Sequence, residues 1–301
     1  FDGRGGPPAR GGGKTHRFYA AQTKEIADNE IQLTIQGQTI TSTYGTKEQF
    51  MYNCEQLLTA GLFNNLFKEG NTISEDSRAL IEELSELSFE KYDALKHHDK
   101  FMPYLENMST LKYYTKANIG SRPGKRGNNA KLELTDLRAI SFVGSWSQLK
   151  QNVPGYFGIG TALKTFKDAG RIDAVKKLYK EVPFFRALMS NSMMSLAKCY
   201  FELTSYMKTN KEYGEFWTIL NDEFELSKAM LLEISGMEVL MEQEAVSRES
   251  VKIREDIVLP LLVIQQYALQ KIGEKSSYTE LYEKIVTRSL YGNINASRNS
   301  A

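Results

Sequence analysis

The first sixteen residues, FDGRGGPPARGGGKTH, hold six glycines together with Arg4, Arg10 and Lys14. Glycine loses more backbone freedom on ordering than any other residue, so such a stretch is a poor inert connection. It suits bringing backbone N–H groups and guanidinium forks close to an oxyanion. Three chemistries compete for it. A nucleotide-binding P-loop requires a glycine five positions before Gly13-Lys14-Thr15, and Pro8 stands there. An RNA-binding RGG segment works through many arginines in a disordered context. Here Arg4 and Arg10 alone sit beside glycine pairs, and structured sequence follows at once. An arginine-bearing active-site loop acting on a small phosphorylated acid is the third reading, and the residues favour it.

Two local basic stretches stand out in a balanced chain. Residues 1–17 carry four basic side chains against one acidic, and residues 111–138 carry seven against two. The whole chain has 38 basic and 37 acidic residues, so no global field draws it to nucleic acid or to an anionic membrane. Two further cations interrupt apolar stripes. Lys198 has Met194 four positions before it and Phe201 three after; Arg254 shares a helical face with Val258 and Leu261. Such a charge is ordinarily a snorkelling side chain or half of a buried ion pair, and Glu202 is the expected partner of Lys198. His97 and His98 fall near a predicted helix C-terminus, where positive charge is favourable.

The elements that must position these groups follow from periodicity. The 301 residues are 41% apolar, enough for one or two domains. The longest apolar run, residues 257–264, is too short to span a bilayer. Cys54 and Cys199 are far apart and unpatterned, which favours a reducing compartment over a disulfide framework, and no signal peptide is visible. The chain opens on Phe1 inside a loop-like stretch, and reads as the downstream piece of a longer polypeptide. Alternation at Ile31, Leu33 and Ile35 predicts a strand. From Lys47 to about Lys100 the period is helical, with Ser74 as an N-cap. LRAISFVGSW, rich in β-branched and aromatic residues, reads as a buried strand or short apolar element. After Pro154 nearly everything is helical, including a long helix ending at Gly236 and another that Pro260 should kink.

Taken in order, these motifs resemble those of the phosphoenolpyruvate carboxylase family. FDGRGGPPARGGGKTH is similar to its glycine loop, LTIQGQTI to its TxQGE-type strand and NIGSRPGKR to its GSRP-x-KR motif. LRAISFVGSWSQ, VPGYFGIGTAL, VPFFRALMSNSMMSLAK and the closing SRNSA resemble later family motifs, and the order is kept to both ends of the chain. The resemblance is to the C-terminal part of such enzymes. It implies a mainly α fold: the C-terminal part of a β/α, TIM-like barrel with large helical additions. Residues 1–150 would supply the barrel portion with the glycine loop and inserted helices. Residues 151–301 would form a helical bundle carrying an inhibitor site and oligomer contacts.

The implied reaction joins phosphoenolpyruvate and bicarbonate into oxaloacetate and phosphate, through carboxyphosphate and pyruvate enolate. Every species is anionic, and arginine binds oxyanions bidentately while staying charged. The resemblance assigns catalytic roles to Arg4, Arg10, Arg122 and Arg138, and substrate contacts to Gly5, Gly6 and Gln36. His16 would brace the loop. Mg²⁺ or Mn²⁺ is implied, with its carboxylate ligands and a proton-handling histidine upstream of this chain. Arg10, Lys198, Arg254 and Asn299 match a feedback site for aspartate or a similar dicarboxylate, which would draw Arg10 away from the chemistry. The expected setting is a cytoplasmic homo-oligomer, a tetramer in the full-length protein, with no nucleic-acid or membrane partner, and the isolated chain is expected to be inactive. The sequence departs from the pattern at Asp2, where the family has histidine, and at Pro7-Pro8-Ala9. It departs again in the spacing of Arg122 and Arg138, and at Leu262, where the family's late helix has asparagine. Two other classes stay open: a non-catalytic helical regulatory or oligomerisation module, and an RGG-type nucleic-acid binder.

Overall fold

The computed structural model describes residues 2–4, 15–23, 30, 32–34, 40–41, 44–66, 72–116, 132–274 and 277–297. The predicted strand appears as β2 (Gln32–Thr34), paired in parallel with β1 (Asp2–Arg4). The register sets Asp2 opposite Gln32, Gly3 opposite Leu33 and Arg4 opposite Thr34. Parallel strands need a crossover, and helix α1 (Thr15–Ala20) lies within it. Among the described residues this pair is the whole sheet, and the rest is overwhelmingly helical. The mainly α reading therefore holds.

Helix α2 (Lys47–Leu66) packs on α1, and the predicted helical stretch that follows divides into α2 and α3 (Glu75–Lys96). Ser74 caps α3 as expected: its side chain accepts from the Ser77 amide at 3.2 Å, and Glu75 and Asp76 complement the positive helix start. His97 is the C-cap, and its Nδ1 lies 2.9 Å from the Asp93 carbonyl oxygen. Short α4 (Phe101–Met108) and α5 (Leu111–Lys116) follow.

LRAISFVGSW departs from its strand reading. Residues 139–148 form helix α6 (Ala139–Gln148). Its inward face consists of Ser141, Gly144, Ser145, Trp146 and Gln148, at helical spacing and mostly small and polar. The β-branched and aromatic residues that suggested a strand, Ile140, Phe142 and Val143, are only half-buried. A methyl at Gly144 would lie 2.5 Å from the Tyr114 hydroxyl, so a small residue lets α5 approach.

Helices α7 (Ile159–Asp168), α8 (Ile172–Glu181), α9 (Pro183–Ala197) and α10 (Gly214–Ser235) build the main body, with a 3₁₀ segment at Phe201–Thr209. Gly236 ends α10 in the left-handed conformation, φ 69°. The core gathers residues from Leu84 to Ile234 around a group of touching rings: Phe101, Tyr104, Trp146 and Phe216. Helix α11 (Ala245–Gly273) runs through Pro260 as one element, and α12 (Thr279–Ser297) packs along it. The α11–α12 pair closes a second core with Val286, Leu290 and Ile294 against Ala268, Leu269, Tyr113 and Tyr114. Among the described residues, no helix is long and apolar enough to cross a membrane, and Cys54 and Cys199 are free thiols.

Candidate functional site

The turn between α6 and the following 3₁₀ segment (Val153–Gly155) is built from non-glycine residues in the left-handed region: Lys150 at φ 56° and Asn152 at φ 42°. That conformation is uncommon outside glycine and asparagine. Partners from the end of α9 hold it. The Tyr200 amide donates to the Lys150 carbonyl at 2.8 Å, the Cys199 thiol to the Gln151 carbonyl at 3.1 Å, and the Asn152 side-chain amide to the Ser195 carbonyl at 3.4 Å. The turn thus presents Lys150, 7% exposed, to α11, where its ammonium meets the Glu255 carboxylate at 2.6 Å.

The charges of Lys150 and Arg254 both act on Lys198. Lys198 is the C-cap of α9, one residue past the helix to which its apolar neighbours assign it, and positive charge is favourable at that end. Burial lowers its ammonium from the usual 10.5 to about 8. The positive charges of Lys150 and Arg254 push the same way, and the Glu255 carboxylate opposes them. The carboxylate whose field reaches Lys198 is therefore Glu255 rather than the expected Glu202, whose side chain is exposed. Burial also drives the neighbouring Cys199 thiol well above its ordinary range. Burial and the fields of Lys150 and Arg254 all weigh against the charged form of Lys198, which a nearby anion would favour.

Of the other candidates, Arg138 is the N-cap of α6, and its carbonyl accepts from the Ser141 hydroxyl at 2.9 Å. Its Nε is buried and has no hydrogen-bond partner among the described residues. The backbone of Arg4 is in β1. Gly5, Gly6, Arg10, Gln36, Arg122 and Asn299 lie outside the described residues. Helix α12 runs to Ser297, two positions before Asn299, and Ala296 packs with Leu203, Val258 and Leu262 beside the cation cluster.

Sequence reasoning missed Lys150 and Glu255. Neither carries a turn or spacing cue, because the left-handed turn is made without glycine. It also missed what holds the VPGYFGIGTAL stretch. Glu223 of α10, 4% exposed, accepts from the Gly158 amide at 3.1 Å, the Thr161 amide at 3.0 Å and the Thr161 hydroxyl. It caps the start of α7 from another helix. Gly158, at φ 98°, has no room for a side chain, since a methyl would lie 2.3 Å from the Ser88 carbonyl oxygen. Among the described residues no group of three or more His, Cys, Asp or Glu side chains could hold a metal ion, so they do not fit the implied Mg²⁺ or Mn²⁺.

Against known proteins, the profile of the phosphoenolpyruvate carboxylase family matches residues 1–297. The phosphoenolpyruvate carboxylase of Prochlorococcus marinus subsp. pastoris is 30% identical over 298 residues, covering 96% of this chain and 30% of that protein. That of Corynebacterium glutamicum is 33% identical over 316 aligned positions, covering 100% of this chain and 34% of that protein. The chain spans about a third of the length of the curated relatives it matches. A profile match running from the β1 strand to the last residue of α12 makes this chain a member of the phosphoenolpyruvate carboxylase family.

Proposed function

We propose that the chain supplies part of an enzyme that forms oxaloacetate and phosphate from phosphoenolpyruvate and bicarbonate. The observation that carries this reading is the β1–β2 register. Arg4 and Thr34 are partners at the ends of two parallel strands. Gly5 follows one directly in sequence, and Gln36 follows the other by two residues. Enzymes built on β/α barrels collect their reacting groups beyond the C-terminal ends of parallel strands. A parallel pair with a helix in its crossover is the unit from which such a barrel is assembled, so residues 1–150 fit a barrel portion and residues 151–301 the helical remainder. Arg138, whose buried Nε has no acceptor among the described residues, suits an anionic substrate oxygen. Mg²⁺ or Mn²⁺ would stabilise enolate and phosphate oxygens, held by residues other than those described here, and the 301-residue chain by itself should form no oxaloacetate. Arg4→Lys in the intact enzyme tests the reading. It keeps the charge and loses the bidentate fork, so turnover should fall by about 10²–10³. Near-normal turnover would overturn it.

The regulatory half rests on a separate observation, the meeting of Lys150, Lys198, Arg254 and Glu255. A Lys198 ammonium lowered by burial and by the charges of Lys150 and Arg254 suits an anionic ligand, and aspartate or a similar dicarboxylate is the proposed inhibitor. The contact of Ala296 with Leu203 and Val258 brings the sequence leading to Asn299 toward the same corner. Arg10 would complete the site by leaving the catalytic loop, which gives an inhibited state distinct from the active one. Lys198→Ala in the intact enzyme should raise the aspartate concentration for half-inhibition about tenfold or more. Equal inhibition of both proteins would remove the site.

A further inference from the structure

One cavity has no part in the chemistry above. A cavity of about 460 Å³ opens where α1 meets α9 and the turn leading into α11. Its polar side holds Arg17, Arg186 and Glu244. Arg17 Nη1 lies 3.1 Å from Glu244 Oε1, and Arg186 Nη1 donates to the Lys180 carbonyl at 2.9 Å, which anchors that guanidinium at the rim. The other oxygen of Glu244, Oε2, is buried and has no hydrogen-bond partner among the described residues. A buried carboxylate oxygen without a donor is costly, so its retention points to a donor that arrives with a ligand.

The opposite side is apolar, formed by Phe18, Met193 and Met241. Met241 is only 5% exposed and held at φ 58°, a left-handed conformation that a long side chain rarely adopts. That turn sets Met241 into the wall and carries the chain into the 3₁₀ segment Glu242–Glu244. Backbone strain of this kind concentrates where a site must be held in shape. The cavity therefore offers guanidinium groups for a carboxylate, a carboxylate oxygen for a cationic donor, and an apolar wall.

We propose that this cavity binds an α-amino acid with an apolar side chain. Its carboxylate sits on Arg186 and Arg17, its ammonium donates to Glu244 Oε2, and its side chain lies against Phe18, Met193 and Met241. The charges then alternate from Arg186 through both ends of the ligand to Glu244 and Arg17. Helix α1 begins at Thr15, directly after the glycine-rich stretch in sequence, and it contacts α9. A ligand bridging Arg17 and Arg186 ties the helix that follows that stretch to the main helical body, which makes the cavity an effector site rather than a reacting one.

The test is calorimetric titration of the intact protein with L-leucine, N-acetyl-L-leucine and L-leucinamide. The second lacks the ammonium and the third lacks the carboxylate. L-leucine should bind, and each analogue should bind about tenfold or more weakly. Glu244→Gln, close to isosteric, should weaken L-leucine by a similar factor and leave N-acetyl-L-leucine unchanged. Arg186→Gln should behave likewise toward L-leucinamide. Absence of L-leucine binding at about 10 mM, or equal affinity for all three compounds, would overturn the proposal. The three-compound comparison decides the matter on the unmodified protein, whether or not the variants fold. Lys198→Ala should leave L-leucine binding intact, and Glu244→Gln should leave aspartate inhibition intact, so this site and the dicarboxylate site fail separately.

Discussion

Two corners of the molecule bury charge, and they do it in opposite ways. At the start of α7, the Glu223 carboxylate is almost fully enclosed, yet the Gly158 and Thr161 amides and the Thr161 hydroxyl all donate to it. At the end of α9, burial and the positive charges of Lys150 and Arg254 lower the Lys198 ammonium, and the Glu255 carboxylate opposes them. The first corner is satisfied from within the protein and holds two helices together. In the second, burial and like charge weigh against the Lys198 proton, which a seated anion would favour. Buried charge with donors already in place is architecture; buried charge pushed by its own sign gains from an added anion.

The sharpest way to break this contrast is to empty the first corner. Glu223→Ala leaves buried amide and hydroxyl donors with no acceptor, and should cost about 3 kcal/mol or more, read as a fall in the urea midpoint. Gly160→Ala strikes the same junction by shape. A methyl there would sit 2.4 Å from the Ser227 amide nitrogen, so α7 and α10 must separate, at about 1–3 kcal/mol on the same measurement. Little or no loss in either variant would show that this corner is not the joint described.

The second corner should answer with the opposite sign. Lys198→Met removes one of the crowded cations and should raise the urea midpoint at neutral pH. The folded protein holds the Lys198 proton less tightly than the unfolded chain, about 8 against the usual 10.5. Between those values the unfolded state binds more protons, so stability rises with pH through the window. The burial penalty is fully present below about pH 8, and the advantage of Lys198→Met should shrink as pH climbs from there toward 10.5. An advantage that stays constant across that range would mean that Lys198 is not crowded. The smallest effect should come from an exposed control. Arg171 grips Glu83 through two hydrogen bonds of 2.7 and 2.8 Å, and this holds the Glu83 carboxyl below its usual range. Water screens the pair, so Arg171→Ala should barely move the midpoint, and added salt should erase the difference.

What could be read beforehand follows from where the signal lies. Ser74 and Gly236 act at helix ends through local chemistry, so their roles are visible in the sequence alone. Lys198 and Arg254 stand out as charges on apolar stripes, and the positive charge of Arg254 acts on the Lys198 ammonium. The stretch that forms helix α6 suggests a strand or short apolar element because Ile140, Phe142 and Val143 lie on the half-buried side, while Ser141, Gly144 and Ser145 go inward beside Trp146. Hydrophobicity cannot register a buried face built from small residues. Lys150, Glu223 and Glu255 were missed because each acts on a partner 62 or more positions away, where local pattern is silent.

Cys199 offers a clock for the second corner. Its thiol donates to the Gln151 and Ser195 carbonyls and burial pushes it toward the protonated form, so it should react with maleimide slowly, and faster when the turn at Lys150 opens. Cys54, on α2 and outside this network, supplies the reference rate in the same tube. The ratio of the two labelling rates then measures how often the corner breathes, and a dicarboxylate that seats there should slow Cys199 while leaving Cys54 at its own pace.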